Sequence, residues 1–440
     1  MDNGQCHEAP ADYQLSIDHS PLDEVPAGYK RTEVGVIPED WDVSQVDSLI
    51  SEISMGPFGS DIKVSNFVSS GVPVLNGFNV SSERLIDSFT NYVTQEKAKR
   101  LKKAVASRGD IVVTHRGTIG QISYIPSDSK YEKYVISQSQ FRVRFRKDVL
   151  PSWVTSYFLS DKGALALLEG KGHTGVPAIA QPTTTFRKLK IPVPPIEEQR
   201  AIATALSDVD ALIAALDKLI AKKRAIKTAA MQQLLTGKTR LPGFSGEWET
   251  KRLGELAEVV SGGTPKSGVA EYWDGGIFWC TPTDVTKTQG KYIDGSERTI
   301  SKEGLLASSA HLLPPGSILL CTRATIGEMK ISTVPIATNQ GFKSLVCKED
   351  VSSEFLYYKL LMEKGRLIEK ASGSTFLEIS KRDVVELTLR LPEIEEQTAI
   401  AQVLSDMDAE IAALETRRDK TRAIKQGMMQ QLLTGKIRLV

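Results

Sequence analysis

Two glycine–lysine pairs are the closest approach to a phosphate-binding loop in the sequence. Gly237-Lys238-Thr239 resembles the end of the motif GxxxxGK[ST], whose first glycine would fall at position 232. That position holds Gln232, and the second pair, Gly435-Lys436-Ile437, lacks the hydroxyl that such loops place on the nucleotide's magnesium ion. We therefore interpret both pairs as helix C-caps, a position that favours glycine.

No other arrangement of residues indicates catalysis. The five histidines are scattered, and neither HExxH nor a Cys/His metal spacing occurs. An Asn-Pro-Pro-Tyr-type methyltransferase loop is absent, and the glycine clusters Met55–Gly59 and Ser261–Gly263 do not follow an apolar strand as nucleotide-binding loops do. Acid-x-Lys pairs such as Asp128 and Lys130 occur singly. We predict that the chain has no catalytic site and no metal site.

The sequence does offer polar side chains suited to reading base edges. Arginine suits guanine, asparagine and glutamine suit adenine, and threonine suits the thymine methyl group or either base. The candidates for DNA contact are Arg116, Thr118, Gln138, His173, Thr174, Arg323, Thr325, Asn339, Gln340, Ser374 and Thr375. The alternative for the two arginines is that each pairs with a carboxylate, while the Thr-Ile-Gly that follows forms a structural turn.

The net charge of +1 argues against a general nucleic-acid coat, which would be more basic. Basic residues can still cluster on one face of a neutral protein. The clusters are Lys97, Lys99, Arg100, Lys102 and Lys103; Arg142, Arg144, Arg146 and Lys147; and Lys222, Lys223, Arg224 and Lys227. Each of them is equally compatible with a solvated helix or strand face.

Length and composition favour a multi-domain cytoplasmic protein. The 440 residues suit two to four domains, and a hydrophobic fraction of 41% allows sizeable cores. No run of about 18 apolar residues predicts a membrane span. The first residues lack the cationic leader of a signal peptide. The four cysteines lie far apart, so we expect reduced thiols.

An internal repeat determines the architecture. Ile196–Leu241 and Ile394–Leu439 align without a gap at an offset of 198 residues, with about two thirds of positions identical. The preceding segments repeat more faintly, because Gly109–Gly120 and Gly316–Gly327 share an apolar strand, an arginine and Thr-Ile-Gly. The other fainter correspondences are Trp41 with Trp248, which we expect to be core anchors, and Ser137–Phe141 with Asn339–Phe342.

Both repeated tails have the pattern of long amphipathic helices. Apolar residues recur in steps of three and four, as in a coiled coil. These seam residues include those expected to bind a partner helix, which are Leu206, Ile213, Leu216, Leu404, Ile411 and Leu414. Farther along, the stripe is predicted to continue with a period near 3.6, through Ile226, Ala230 and Leu234 in the first helix and Ile424, Met428 and Leu432 in the second. Each helix should have about 38 residues and a length of roughly 57 Å at about 1.5 Å per residue.

The natural partner of each helix is its own copy, because a single long helix cannot bury its apolar stripe alone. A two-fold axis across such a pair makes the helices antiparallel, with one domain at each end of a rod. The alternative is that each helix merely packs on its own domain. The sequence therefore predicts an α+β protein in which two similar recognition domains are separated by two antiparallel helices forming a pseudo-two-fold coiled coil.

The predicted boundaries follow from the repeat. They are a polar, poorly ordered extension at 1–32, a first domain at 33–195, a first helix at 196–238, a second domain at 239–393 and a second helix at 394–440. Within the domains, Ile111–Thr114, Phe141–Arg144 and Ile318–Leu320 are predicted strands. Trp153–Leu168 and Phe355–Ile368 are predicted helices.

These residues resemble the specificity subunit of type I restriction–modification systems. The resemblance rests on Tyr29–Trp41, both Arg-x-Thr-Ile-Gly turns, both (I)EEQxAIAxxLSDxDAxIAAL helices and both QQLLTGKxRL endings, and it spans about Gly28 to Val440. The helix motifs in duplicate, after two dissimilar domains, are highly specific. The domains themselves match only as a pattern.

The resemblance implies a function that the residues alone do not. Each domain would read one half of a bipartite double-stranded DNA target, and the helices would space the domains and dock two methyltransferase subunits. Restriction and translocase subunits would join for cleavage. S-adenosylmethionine, ATP and magnesium would be bound by those partners and not by this chain. A rod near 57 Å could serve half-sites roughly 34–36 Å apart, about one turn of DNA.

Two other functions stay open at this point. One is a methyltransferase in a single chain, against which the missing catalytic loop argues. The other is a coiled-coil scaffold that binds no DNA. The great difference between the two domains favours readers of two different half-sites over a symmetric scaffold.

Overall fold

The computed structural model describes residues 25–59, 61–168, 171–172, 178–371 and 377–439. These residues divide into two compact units. The first unit is Met1–Ile213 with Lys420–Val440, and the second is Ala214–Asp419. Each long helix therefore contributes to both units. Most of the predicted extension lies outside the described residues, but its end forms the first strand, so the predicted domain start at 33 is too late.

The first unit is α+β, as predicted. Its strands are β1 (Tyr29–Thr32), β2 (Gly35–Pro38), β3 (Asp42–Gln45), β4 (Ile50–Met55), β5 (Val72–Pro73), β6 (Tyr92–Val93), β7 (Val105–Ser107), β8 (Asp110–Thr114), β9 (Ile122–Tyr124), β10 (Lys133–Val135), β11 (Gln140–Phe145), β12 (Lys171–Gly172), β13 (Ala178–Ile179) and β14 (Lys190–Val193). Its helices are α1 (Val46–Leu49), α2 (Gln95–Arg100), α3 (Pro151–Leu159), α4 (Asp161–Leu168) and α5 (Pro182–Lys188), followed by the long helix α6 (Ile196–Leu234).

The second unit repeats this plan. Its strands are β15 (Glu249–Arg252), β16 (Ala257–Ser261), β17 (Trp273–Cys280), β18 (Tyr292–Ile293), β19 (Thr299–Ile300), β20 (Ile318–Leu320), β21 (Met329–Ser332), β22 (Ala337–Thr338), β23 (Lys343–Cys347) and β24 (Thr388–Leu391). Its helices are α7 (Leu253–Leu256), α8 (Pro282–Lys287), α9 (Lys302–Leu306), α10 (Ser353–Met362), α11 (Lys364–Glu369) and α12 (Lys381–Val385), followed by the long helix α13 (Ile394–Leu432).

The central sheets of the two units correspond strand for strand. The first has the order β4-β11-β8-β9 and the second the order β16-β23-β20-β21, to which β18 is added parallel to β21. The registers correspond too, because Val143 pairs with Ile111 in the first sheet and Leu345 with Ile318 in the second. The three predicted strands are all present. The faint sequence repeat is therefore a real structural repeat.

Each predicted domain helix is in fact two shorter helices. Trp153–Leu168 divides at Ser160, which has extended backbone angles (φ −73°, ψ 159°). A Cβ atom on Gly163 would lie 2.0 Å from the carbonyl oxygen of Tyr157, so the second helix folds tightly against the first. Phe355–Ile368 similarly divides at Glu363, between α10 and α11. Helical periodicity continued through both breaks, so the sequence pattern could not reveal them.

The two long helices have 39 residues each, close to the predicted length, but they end at Leu234 and Leu432, before the predicted bounds at 238 and 440. Gly237 and Gly435 follow the last turns in the left-handed region, at φ of 72° and 70°. Their amides donate to the carbonyls of Leu234 and Leu432 at 3.3 and 3.2 Å. The interpretation of both Gly-Lys pairs as helix caps is confirmed, because this glycine conformation closes a helix.

Each core is completed by both helices. The first unit's core includes Ile202 and Leu206 from the start of α6, together with Leu432 and Leu433 from the end of α13 and beyond. The second unit's core has the converse set, with Ile400 and Leu404 from α13 and Leu234 and Leu235 from the end of α6 and beyond. The predicted core anchors Trp41 and Trp248 lie in these same cores. The alternative that each helix packs only on its own domain is wrong.

The two helices run antiparallel within each unit. In the first unit, Asp210 of α6 binds Lys425 of α13 at 2.7 Å, and earlier in α6 Glu198 binds Arg438, which lies beyond α13. In the second unit, Asp217 binds Arg418, and the later residue Lys227 binds the earlier residue Asp408. In both units, the partner's residue number falls as the number along α6 rises, as it does in antiparallel helices.

The helix seam departs from the predicted one in its later turns. Ile226 and Ile424 are exposed, so the predicted stripe is wrong at these two positions, whereas Leu234 and Leu432 are buried in the cores, with Ala230 and Met428 packed against them. After Ile220, Lys223 and Lys227 occupy the next positions at the spacing of three and then four residues. Their ammonium groups bind Glu410 and Asp408. The aliphatic stems of lysines can cover apolar surface while their charged ends stay hydrated. The coiled-coil spacing therefore continues with polar residues.

The six seam residues expected to bind a partner helix differ in their burial. Leu206 and Leu404 are completely buried in the two cores. Leu216 and Ile411 are also buried, while Ile213 and Leu414 are partly buried. For the fully buried leucines, contact with a separate subunit is excluded, because no surface remains to bind.

Reciprocal ion pairs hold the helix ends in the two units. Glu198 in the first turn of α6 is fully buried, accepts a hydrogen bond from the indole of Trp41 at 2.7 Å and binds Arg438 through both carboxylate oxygens. Glu396 binds Arg240 through both oxygens in the second unit. Each arginine side chain also lies 5.9 Å from the centre of a tryptophan ring, Trp41 for Arg438 and Trp248 for Arg240. We call these two sets of contacts the helix clasps.

The glutamine beside each clasp glutamate fixes the domain to the helix. The side-chain oxygen of Gln199 accepts from the amide of Leu150 at 2.8 Å, and that of Gln397 accepts from the amide of Ser352 at 3.0 Å. Their amide groups donate at 2.9 Å to Pro194 and Pro392. The repeated Glu-Glu-Gln sequence is thus explained by contacts made twice.

We expect the substitution Arg438→Ala to destabilise the protein by about 3 kcal/mol, because it leaves the buried Glu198 carboxylate unpaired. Arg224→Ala is the control, since Arg224 pairs with Glu415 at the surface and such pairs contribute less than about 1 kcal/mol. Urea unfolding followed by circular dichroism measures both. Equal losses for the two variants would contradict the role of the clasp.

Candidate nucleic-acid interface

The two Arg-x-Thr-Ile-Gly segments form the same turn in both units. Each follows a central strand, β8 or β20, and returns to it through its last glycine. The amide of Gly120 donates to Thr114, and that of Gly327 donates to Cys321, both at 3.0 Å. The residue after the arginine has positive φ in both, 84° for Gly117 and 58° for Ala324. The turn is structural, as the alternative interpretation expected, but both arginine side chains are exposed.

A second repeated segment lies beside each turn. The amide of His115 donates to Ser139 at 2.9 Å, and its counterpart Thr322 donates to Gly341 at 2.8 Å. These bonds place Gln138 next to the first turn and Gln340 next to the second. The predicted correspondence between the two glutamines is therefore confirmed by the backbone register.

The glycine clusters form the third part of this arrangement, and the sequence analysis missed it. A Cβ atom on Gly56 would lie 1.9 Å from the carbonyl oxygen of Ser137, and one on Gly262 would lie 1.9 Å from that of Asn339. Only glycine allows so close an approach. A glycine directly after the first central strand in both copies, following Met55 and Ser261, was the available signal.

We define a reading edge in each unit from these three segments. The first reading edge comprises Gly56–Gly59, Arg116–Thr118 and Ser137–Gln138. The second comprises Gly262–Thr264, Arg323–Thr325 and Asn339–Gln340. The backbones correspond, and the arginine, threonine and glutamine recur in both edges, whereas the residues after Gly56 and Gly262 differ.

The first reading edge presents exposed polar groups. Arg116 is exposed, and its guanidinium has no hydrogen bond or ion pair within the described part of the chain. Thr118 and Gln138 are exposed too, with the Thr118 hydroxyl donating to Gln121 at 2.7 Å. His115 lies 3.3 Å from the Gln138 carbonyl oxygen, and burial lowers the pKa of this histidine. Its ring therefore supports the edge as a neutral group at pH 7.

The second reading edge holds its arginine in an ion pair. Arg323 binds Glu378 at 2.6 Å, and this bond keeps the pKa of Glu378 below its ordinary value. Arg323 and Glu378 also form a backbone bridge, and in the first unit the equivalent bridge joins Arg116 to Ala178. The carboxylate alternative is therefore correct for Arg323. At the corresponding place beside Arg116, an alanine stands.

The remaining candidates of the second edge differ in what they can reach. The Thr325 hydroxyl oxygen is buried, so its prediction as a base contact is wrong for that group. The side-chain oxygen of Asn339 accepts from the Gly341 amide at 2.9 Å and thus shapes the loop. Gln340 is exposed and accepts a hydrogen bond from the Thr264 hydroxyl.

Four candidates, His173, Thr174, Ser374 and Thr375, lie outside the described residues. Across the described ranges, no group of three or more His, Cys, Asp and Glu side chains is placed to hold a metal ion. Nor is any helix of those ranges both long and apolar enough to cross a membrane.

The fold and its two reading edges define a class of protein with paired, structurally repeated recognition domains joined by long helices. The family model described as type I restriction modification DNA specificity domain matches this chain twice, at residues 38–224 and 245–422. The chain therefore belongs to this family, and its function is recognition of a DNA target. It serves as a non-catalytic specificity subunit.

Individual relatives and solved structures agree with this assignment. The specificity subunit of the MjaX type I restriction enzyme of Methanocaldococcus jannaschii is 26% identical, over 93% of this chain and 97% of the relative. The EcoR124I/EcoR124II specificity subunit of Escherichia coli is 27% identical, over 51% of this chain and 57% of the relative. The S-subunit crystal structure from M. genitalium shares the fold, with a TM-score of 0.55 at 16% identity, over 89% of this chain and 96% of that one.

We expect Gly262→Ala to weaken DNA binding about tenfold, or about 1.4 kcal/mol, because the added methyl group displaces the Asn339–Gln340 loop. The control is Gly268→Ala in the same loop, where a Cβ atom meets nothing within 4 Å. Titration of a labelled target duplex with the assembled subunits measures both affinities. If the two variants bind equally well, the close approach does not matter for recognition.

Proposed function

We propose that each unit reads one half-site of a bipartite duplex target, one through each reading edge. The carrying observation is that two equivalent backbones present an arginine and a glutamine in different surroundings, because Glu378 binds Arg323 where Ala178 stands beside Arg116. Arg116, Thr118 and Gln138 can bind bases or phosphates from the first edge, and Arg323 and Gln340 can do so from the second. Phosphate contacts would supply much of the affinity, and contacts to base edges the specificity.

The asymmetry between the two arginines refines this proposal. The guanidinium of Arg116 has both of its edges available to bind a guanine. Arg323 would instead contact a base while it remains paired with the carboxylate of Glu378. A carboxylate can accept a hydrogen bond from the cytosine amino group. The Arg323–Glu378 pair is therefore suited to a G·C base pair, and Arg116 to a guanine or a phosphate.

The chemistry on DNA belongs to partner subunits in this proposal. Two methyltransferase subunits would bind S-adenosylmethionine, and restriction and translocase subunits would use ATP and magnesium. A solved structure that shares this fold, with a TM-score of 0.57 at 18% identity over 91% of this chain and 99% of that one, comes from work on complex assembly of the type I R-M system. The partners need the cell's DNA, so we place the chain in the cytoplasm.

The long helices are proposed to set the spacing of the two half-sites. Both helices supply residues to both units. In this proposal, a change in helix length therefore changes the distance between the two reading edges. Helices are stiff over this length, and their rise of about 1.5 Å per residue makes a usable ruler.

We expect Arg323→Ala to relax the preference at one base position of one half-site by about 1–3 kcal/mol. Arg116→Ala should act on the other half-site only. Selection of bound duplexes from a randomised library by the assembled subunits shows both effects. Arg382→Ala is the control, because Arg382 is highly exposed and pairs with Glu386 away from the edge.

An unchanged sequence preference with merely weaker binding would assign Arg323 to phosphate contact and remove its base-reading role. A change at both half-sites from one substitution would contradict the assignment of one edge to each half-site.

We expect that inserting one heptad after Ile213 and one after Asp419 lengthens the recognised gap by about three base pairs. Seven residues add about 10 Å of helix, and base pairs are spaced about 3.4 Å apart. A heptad keeps the seam in register. The control is seven residues inserted at Gly243, in the loop after α6. An unchanged gap in the double-insertion variant would refute the ruler.

Two competing functions have direct tests. Methyl transfer to DNA by the purified chain alone would favour a single-chain methyltransferase. Failure to bind any duplex, even together with methyltransferase subunits, would favour a scaffold that binds no DNA.

A further inference from the structure

A basic pocket opens in the first unit, and none of the residues that define the first reading edge lines it. Its volume is about 440 Å³. Five cationic side chains line it, contributed by α2 and the turn after it, by β10 and by β11. They are Lys99, Lys102, Lys133, Arg142 and Arg144. This pocket brings together two basic clusters that are distant in sequence.

Arg142 is the buried end of the pocket. Its side chain is only 4% exposed, donates from Nε to the Lys103 carbonyl at 3.1 Å and binds Glu52 through Nη2. Its Nη1 atom has no hydrogen-bond partner among the described residues. The Asp110 oxygen Oδ2 lies 3.7 Å from Nη1, beyond hydrogen-bond distance. A buried charged donor left unsatisfied is costly, so this group favours a bound acceptor.

The two acidic groups near the pocket are already committed. Glu52 accepts from Arg142, while Asp110 accepts from Arg144 at 2.6 Å and from the Ser107 amide at 2.8 Å. Five cations against two carboxylates leave an excess of positive charge. The charge therefore favours an anion carrying more than one negative charge.

The fold itself does not require these charged residues. By the shared strand register, the second unit has Ser344 where the first has Arg142, Val346 where it has Arg144 and Ser317 where it has Asp110. The same sheet thus forms with small or apolar residues. Burying a charged network instead carries a desolvation penalty, so its presence in one copy indicates a role in binding.

The pocket is connected to the first reading edge. A second cavity of about 360 Å³ is lined by the Gly56–Phe58 loop and by Arg100, Lys102 and Lys103. Lys102 lines both cavities. Lys102 therefore joins the pocket of Arg142 to the cavity beside the Gly56–Phe58 loop, where Asp61 is the one acidic residue of the lining.

We propose that this basic pocket is a phosphate-binding site, whose two arginines are absent from the corresponding strand positions of the second unit. Its ligand is a phosphate ester, with two possible sources: the backbone of the duplex held at the reading edge, or a free nucleotide. The guanidinium of Arg142 meets one phosphate oxygen at the buried end, and the three lysines balance the charge at the rim. Only the duplex source rests on the proposed function.

The test uses the rim lysines, because substitution of the buried Arg142 leaves Glu52 unpaired and threatens folding. The pocket variant carries Lys99→Gln, Lys102→Gln and Lys133→Gln, all at exposed positions. The matched control carries Lys130→Gln, Lys147→Gln and Lys188→Gln, which remove the same charge from exposed positions of the same unit outside the pocket.

Two measurements separate the sources. The first is the salt dependence of duplex binding by the assembled subunits, in which each lost phosphate contact lowers the slope of log K against log salt by about 0.9. The second is the shift in melting temperature of the chain with inorganic phosphate, at matched ionic strength. For a backbone phosphate, we expect the pocket variant to lose about one to two units of slope beyond the control.

For a free nucleotide, phosphate should raise the melting temperature of the wild type and the control but not that of the pocket variant. Either result supports the site. The proposal is overturned if the pocket variant and the control agree in both measurements. A wild-type chain that responds to phosphate but binds no duplex would refute the proposed function and leave the pocket standing.

Discussion

A buried glutamate at the start of each long helix is the constraint on which the rest of this structure depends. Glu198 and Glu396 lie where the helix meets its domain, and a buried carboxylate requires a partner. Each partner is an arginine just beyond the end of the other helix, Arg438 or Arg240. Neither unit can therefore complete its core from one repeat alone. The antiparallel course of the helices within each unit follows from these two reciprocal contacts.

The clasps also explain why the two repeats have diverged unequally. Each tail must supply the glutamate and glutamine of one unit, and the glycine cap and arginine of the other. Each tail therefore makes required contacts in both units, which leaves its residues little freedom for substitution. The domains meet the helices through core residues such as Trp41 and Trp248, and can change elsewhere. At the reading edges this freedom appears as Glu378 in one unit and Ala178 in the other.

The sequence predicted those features that rest on local patterns. The helices, the central strands, the glycine caps and the turn after each arginine follow from periodicity and from repetition. The break at Ser160 was hidden, because helical periodicity continues through it. The later seam was also hidden, because the side chains of Lys223 and Lys227 are partly buried although their type suggests exposure. Gly56 and Gly262 were recognised as loop glycines, but their purpose depends on Ser137 and Asn339, far away in the chain.

The central claim is that two units each read their own half-site at a distance fixed by the helices. Selection of bound duplexes from a fully randomised library, by the wild-type chain assembled with methyltransferase subunits, tests this claim most directly. The account predicts two short specified words separated by an unspecified gap of constant length. A single continuous word, or two words whose separation varies freely, would contradict it.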